Sequence, residues 1–174
     1  MTDRLLLIGM MAVGKSTVGK LCAKRLDWSF LDSDVQLLAD TGRTAQEIFD
    51  VDGDEALRTL ESRVLAEAID APTPVVIAVA GGAVLSEANR ALLIRSGIVV
   101  WLRASINTLI DRVTRGEARP RLGADPERSL RDLYVARHPL YASVAGVVID
   151  VDDLTAEEVV VRIFEETGLG DIGP

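Results

Sequence analysis

The chain has 174 residues, a formal charge of −8 and one cysteine. That length suits one domain with a sizeable core, and the acidic balance argues against a nucleic-acid binder. A lone cysteine excludes an internal disulfide framework, and no segment approaches the roughly 18 apolar residues of a membrane span. The N-terminal stretch carries Gly-Lys-Ser where a signal peptide would carry its cleavage site, so a soluble cytoplasmic protein is expected.

The first apolar run, Arg4–Ile8, predicts a buried strand. It runs straight into Gly9–Ser16, which spells G-x-x-x-x-G-K-S, and Lys15–Leu26 follows with Val18, Leu21, Cys22 and Leu26 at helical spacing. Strand, glycine-rich turn and helix in that order are the context a phosphate-binding loop needs. Backbone N–H groups would point at the phosphates and the helix would add its positive end. Lys15 would reach the β- and γ-phosphates, and Ser16 would offer its oxygen to Mg2+. ATP or GTP is the implied ligand. Cys22, on the apolar face of the helix, reads as a buried thiol.

A second strand is predicted over Ser29–Leu31, with Asp32 and Asp34 at its end. Two residues apart in extended chain, they would face the same side. One suits Mg2+ through water, the other the proton of an attacking hydroxyl. Ala56–Ile69 places Leu57, Leu60, Val64, Leu65 and Ala68 on one helical face. Arg58 and Glu61, three apart on that helix, can form a surface pair, or Arg58 can face a crevice and grip a carboxylate. A third strand, Val75–Ala80, leads into Gly81 and Gly82, which permit close backbone approach to an anion or simply a tight turn.

Ile98–Leu102 predicts the fourth strand, and Ser105–Thr114 a helix with Ile106, Leu109, Ile110 and Val113 on one face. Arg115–Ser129 is rich in Arg, Gly and Pro and suits a mobile lid carrying Arg119 and Arg121. Arg137 sits near the end of a helix that Pro139 is expected to stop, and His138, with no metal-ligand partner, reads as structural or exposed. Val147–Val151 is the fifth strand. Thr155 and Glu158 then make a capping-box pattern for a last helix, with Gly168 beyond its end. Strands alternating with helices mean α/β with right-handed crossovers, without internal repeat or linker.

Taken together and in order, these residues resemble shikimate kinase. The resemblance rests on Gly9–Thr17, "DSD" at Asp32–Asp34, "TGRTAQEIF" at Thr41–Phe49 and "DGDEALRTLE" at Asp52–Glu61. It continues through "GGAV" at Gly81–Val84, "RP" at Arg119–Pro120 and "RHPLY" at Arg137–Tyr141. The family implies a three-layer α/β sandwich around a five-stranded parallel sheet, like that of P-loop nucleoside-monophosphate kinases. It implies one domain over residues 1–174, an acid-binding region over about 32–61 and a lid over about 113–129. It also implies ATP held by Ala12, Val13, Gly14, Lys15, Ser16 and Thr17, with Arg112 near the adenine. Asp34 would be the base, with Lys15 and the lid residue Arg119 at the phosphates. Arg58 and Arg137 would grip the shikimate carboxylate, Gly81 and Gly82 would line the pocket, and Ser16 and Asp32 would stand on the Mg2+ side. ATP and shikimate would be the partners of a monomer.

The sequence departs from the family pattern at four places. Ala80 stands where a first glycine is usual, Leu57 where a phenylalanine precedes the arginine, and Ala45 where a larger aliphatic is common. Asp152, Asp153 and Leu154 replace a segment that often holds an arginine. The alternatives are a related kinase for a polyol, a gluconate-like acid or a nucleoside monophosphate, and a nucleotide-dependent binding module without turnover. The Arg58, Arg137 and Asp34 set favours a hydroxy acid. Intact Lys15, Asp34 and Arg119 favour catalysis.

Overall fold

Leu5, Leu6 and Leu7 are each 0% exposed, so three consecutive side chains on alternating faces are all covered. A strand buried on both faces needs helices on both faces. The computed structural model, which describes residues 3–115 and 125–169, has that arrangement. Five strands, β1 (Arg4–Ile8), β2 (Ser29–Asp32), β3 (Val75–Ala78), β4 (Ile98–Arg103) and β5 (Val147–Asp150), form one sheet in the order β2-β3-β1-β4-β5. Every pairing is parallel, with Leu6 beside Ile77 on one side and Val99 on the other. The five predicted strands are all present, each within two residues of its expected end.

Among the described residues seven helices connect or follow them: α1 (Lys15–Leu26), α2 (Ser33–Thr41), α3 (Ala45–Asp70), α4 (Glu87–Ser96), α5 (Ile106–Arg115), α6 (Pro126–Val144) and α7 (Ala156–Thr167). A short 3-10 turn covers Ala83–Leu85. The right-handed crossover rule puts α1 on one face of the sheet and the later crossovers on the other. The packing agrees: α1 contacts α7, and α4 contacts α3 and α6. No helix of the described residues is long and apolar enough to cross a membrane.

The structure departs from the sequence expectations in three places. Asp32 and Asp34 do not share an extended strand end. Asp32 is the N-cap of α2, with its Oδ1 accepting the Asp34 N–H at 3.0 Å, and Asp34 lies in the first helical turn. The expected Ala56–Ile69 helix begins eleven residues earlier, at Ala45, behind a Thr44–Glu47 capping box, and bends at Gly53 (φ 88°, ψ 177°). Pro139 does not stop α6, which continues to Val144. The ring removes one N–H, whose acceptor would be the carbonyl of Val135. Val135 is 74% exposed, so water can take that carbonyl's place in the ladder.

Two apolar clusters hold the molecule. The main core surrounds the sheet and includes Cys22, whose thiol burial pushes up to about 12. A smaller cluster, Leu37, Ile48, Leu57 and Val64 with Ala45 and Leu60 against it, joins α2 to α3. α2 and the first part of α3 thus have packing of their own beside the carboxyl edge of the sheet, while Leu65, Ala68 and Ile69 tie the end of α3 to the main core.

Candidate active site

β1 has β3 on one side and β4 on the other, so chain direction across the sheet reverses beside it. Ligands of open α/β sheets bind at such points, beyond the carboxyl ends of the strands. The loop that leaves β1 there is Gly9–Ser16. Its backbone is unusual: Gly9 has φ 142°, Gly14 φ 109°, and Ala12 takes the left-handed region at φ 62° despite its Cβ. A Cβ on Gly9 would lie 2.5 Å from the Leu102 carbonyl of β4, so only glycine lets the loop turn this close to the sheet.

α1 starts at Gly14 with no side-chain cap and no acidic residue in its first turn. In contrast, α2, α3, α4, α6 and α7 are capped by the side chains of Asp32, Thr44, Ser86, Asp125 and Thr155. Backbone N–H groups of the first turn, such as those of Ser16 and Thr17, are therefore placed to meet an anion. The Lys15 ammonium folds back over the loop, donating to the carbonyls of Gly9 at 2.8 Å and Met10 at 3.0 Å. Arg112 braces the outside of the loop, donating to the Val13 carbonyl at 3.0 Å and reaching the Val151 carbonyl at 3.4 Å. Asp152 sits in the same corner and accepts the Ser105 N–H at the start of α5. Burial works against its charge, but bonds from Thr108 and Ser105 together with nearby Arg112 hold its carboxyl below the usual range.

A cleft of about 920 Å3 opens beside this loop. Its walls bring together Ala12, Gly14, Lys15, Ser16 and Thr17 on one side with Asp32, Asp34, Gly81, Gly82 and Arg137 on the other. Ser16 donates its hydroxyl to Asp32 Oδ2 at 2.5 Å. A hydroxyl and a carboxylate side by side are hard oxygen donors, which is the chemistry Mg2+ takes when most of its remaining ligands are phosphate and water. Among the described residues there is no group of three or more His, Cys, Asp or Glu able to hold a metal. The donor set fits a cation that arrives with its nucleotide.

Arg137 is 2% exposed. Its Nε has no hydrogen-bond partner, and among the described residues no carboxylate forms an ion pair with it. A buried cation without a counter-ion is costly, so a cleft wall built on one is prepared for an anion. Arg58 is held differently. It pairs with Glu61 and, at 2.8 Å, with Asp54. Burial opposes its charge, but Glu61 and Asp54 outweigh that and keep the guanidinium firmly cationic. The pair is not a surface bridge, because Glu61 is 3% exposed. Among the described residues Arg58 and Arg112 stand behind the cleft wall rather than on it. Arg58 lies directly against Gly82, where any Cβ would collide with its Nη1.

Within the expected 32–61 region, Ala45 lines the cleft as the resemblance implied, and Leu38, Thr44, Gln46, Glu47, Asp50 and Glu61, which were not singled out for it, line it too from α2 and α3. The Thr44-x-x-Glu47 spacing is a capping-box signature and would have located the start of α3. Arg119 and most of the expected lid lie outside the described residues. Of that stretch, Val113–Arg115 closes α5 and Pro126–Ser129 opens α6. His138 stacks edge-on to Trp101 and tilts against Tyr134, in keeping with a structural part.

The family model for shikimate kinase matches residues 11–167. The chain is 43% identical to the shikimate kinase of Pseudomonas entomophila over 162 residues, covering 92% of this chain and 94% of that one. To that of Symbiobacterium thermophilum it is 45% identical over 166 residues, 93% of this chain and 94% of the other. The structure of Acinetobacter baumannii shikimate kinase in complex with shikimate superposes with a TM-score of 0.90 at 35% identity, covering 98% and 95% of the two chains. A gluconokinase from Sinorhizobium meliloti, at 17% identity and a TM-score of 0.66, shares the fold alone. Sequence likeness over nearly the whole length thus accompanies the glycine-rich loop and the buried Arg137, and the chain belongs to the shikimate kinase family.

Proposed function

We propose that this chain transfers the γ-phosphoryl group of ATP to the 3-hydroxyl of shikimate, giving ADP and 3-phosphoshikimate. The observation that carries this reading is Arg137. A buried guanidinium that forms no ion pair among the described residues shares one cleft with Asp34 and with a phosphate-type loop whose helix has no side-chain cap. A substrate that satisfies all three has a carboxylate at one end and a hydroxyl at the other. The hydroxyl must also reach the nucleotide.

In this reading Ala12 to Thr17 cradle the phosphates, and Lys15 leaves the Gly9 and Met10 carbonyls to meet them. Arg137 takes the acid in a two-pronged contact, while Arg58, fixed by Glu61 and Asp54, reaches it past Gly82. Gly81 and Gly82 let the ring lie close to the backbone. Asp34 accepts the hydroxyl proton as the bond to phosphorus forms. Ser16 and Asp32 would hold the Mg2+ that comes with ATP, and that ion would supply positive charge to offset the phosphates. Arg112, already against the loop, borders the adenine. Arg119 is assigned to the phosphates by family resemblance. Positioning and charge stabilisation supply the catalysis, with no covalent role for the protein. The enzyme acts as a cytoplasmic monomer on two small substrates.

The test is ADP release from Mg-ATP with shikimate, gluconate, a nucleoside monophosphate or no acceptor. Strong stimulation by shikimate alone is expected. Equal rates with all four would overturn the reading. The glycine turn offers a second check. In Gly82→Ala the added methyl displaces Arg58 and its partner Glu61, both the movable ends of flexible side chains, so the fold survives. Misplacing a binding group by about 1 Å costs on the order of 100-fold, so a 10–100-fold rise in the KM for shikimate is expected. An unchanged KM would remove Arg58 from acid binding.

A further inference from the structure

Tyr141 ends the "RHPLY" stretch and has no part in the mechanism above. It is 1% exposed and stands one helical turn after Arg137 on α6. Its hydroxyl donates to the Gly81 carbonyl at 2.7 Å and lies 3.9 Å from the Met10 sulfur of the phosphate loop. The space above Gly81 shows how tightly these parts meet. A Cβ built there would lie 3.4 Å from both the Arg137 Nη1 and the Tyr141 hydroxyl, and 3.3 Å from the Gly9 carbonyl. The ring is fixed from behind by Trp101, with centroids 5.8 Å apart. Burial raises the phenol to about 12, against the pull of the adjacent Arg137, so it remains a hydrogen-bond donor across the working range of the enzyme.

Resting on the function proposed above, we infer that the Tyr141 hydroxyl is a positioning group for the acid site. It fixes the carbonyl of Gly81, which turns that peptide's neighbours toward the cleft. It also limits where the Arg137 fork can lie. Through Met10 it sets both against the phosphate loop. Without it, a buried carbonyl loses its donor and the guanidinium loses one wall. Either change relaxes the geometry that a flat carboxylate demands. The nucleotide cradle meets it through the Met10 side chain, while the loop backbone is held by Lys15 and Arg112.

The test is Tyr141→Phe, measured by steady-state kinetics and by separate calorimetric titrations with ATP and with shikimate. Losing a buried hydrogen bond while stranding its partner gives about a tenfold effect. About a tenfold rise in the KM and Kd for shikimate is therefore expected, with the Kd for ATP within about twofold of wild type. Unchanged shikimate affinity would overturn the inference. So would equal losses for ATP and shikimate, which a purely structural role would produce. If Tyr141→Phe does not fold, Tyr141→Met, which fills the site without a hydroxyl, is expected to give the same split. Wild-type protein that binds ATP but not shikimate would overturn the functional reading and this inference with it. Normal wild-type binding, with no change in the variant, would overturn this inference alone.

Discussion

Asp34→Asn is expected to lower kcat by about 10²–10⁴-fold, the usual worth of a positioned general base, while leaving ATP affinity unchanged. The exchange keeps the shape of the side chain and removes its ability to take a proton. The local backbone is also preserved, because the Asp34 N–H is held by Asp32 rather than by its own side chain. Asp34 is exposed in the cleft, so little packing is at stake. Steady-state ADP release and an ATP titration on the same preparation check both halves. A kcat within about threefold of wild type would remove Asp34 as the base, since that is far below what a base supplies.

Lys15→Met should cost about 10²–10³-fold in kcat, comparable to removing one donor from a preorganised charge-stabilising site. Methionine keeps most of the stem and deletes the charge. Two contacts to the loop carbonyls of Gly9 and Met10 go with it, so some loosening of the ligand-free loop is expected as well. The effects are separable. Loop loosening lowers the melting temperature of the free protein, whereas loss of phosphate stabilisation appears only in turnover and nucleotide binding. Unchanged turnover would mean that Gly9–Ser16 does not hold the transferring phosphate.

The central strands β1, β3 and β4 were readable because they are covered on both faces and so appear as uninterrupted apolar runs, whereas the edge strands β2 and β5 are only partly covered and gave shorter or weaker runs. Strand order was not readable, since nothing in Leu5–Ile8 says that β3 and β4 are its neighbours. α2 was missed although Asp32 and Gly42 bracket it, as its N-cap and its left-handed terminal residue. Asp32 and Asp34 drew attention as chemistry, and the same aspartate also caps a helix. Pro139 misled for a physical reason: a missing N–H breaks a helix only where nothing replaces it, and Val135 faces water. The candidate site was legible where residues meet a backbone requirement, as in Gly9–Ser16. It was less legible where long-range packing decides. The pairs of Arg58 with Asp54 and Glu61 are (i, i+4) and (i, i+3) contacts that spacing allows. The burial of Glu61 and Arg137 beside the glycine turn depends instead on how α3 and α6 lie against it, and no local spacing encodes that.

The small cluster of Leu37, Ile48, Leu57 and Val64 is separate from the core beneath the phosphate loop. The α2–α3 side of the acceptor wall therefore rests on a different cluster from the nucleotide cradle, while Gly81, Gly82 and Arg137 stand beside the main core. Substitutions among these few side chains, such as Leu57 and Ala45 in this chain, can reshape the acceptor wall without disturbing the machinery that handles ATP. A lineage built this way can explore new acceptors through a handful of substitutions while its phosphate chemistry is inherited intact. The same division gives an engineer a bounded region in which to search.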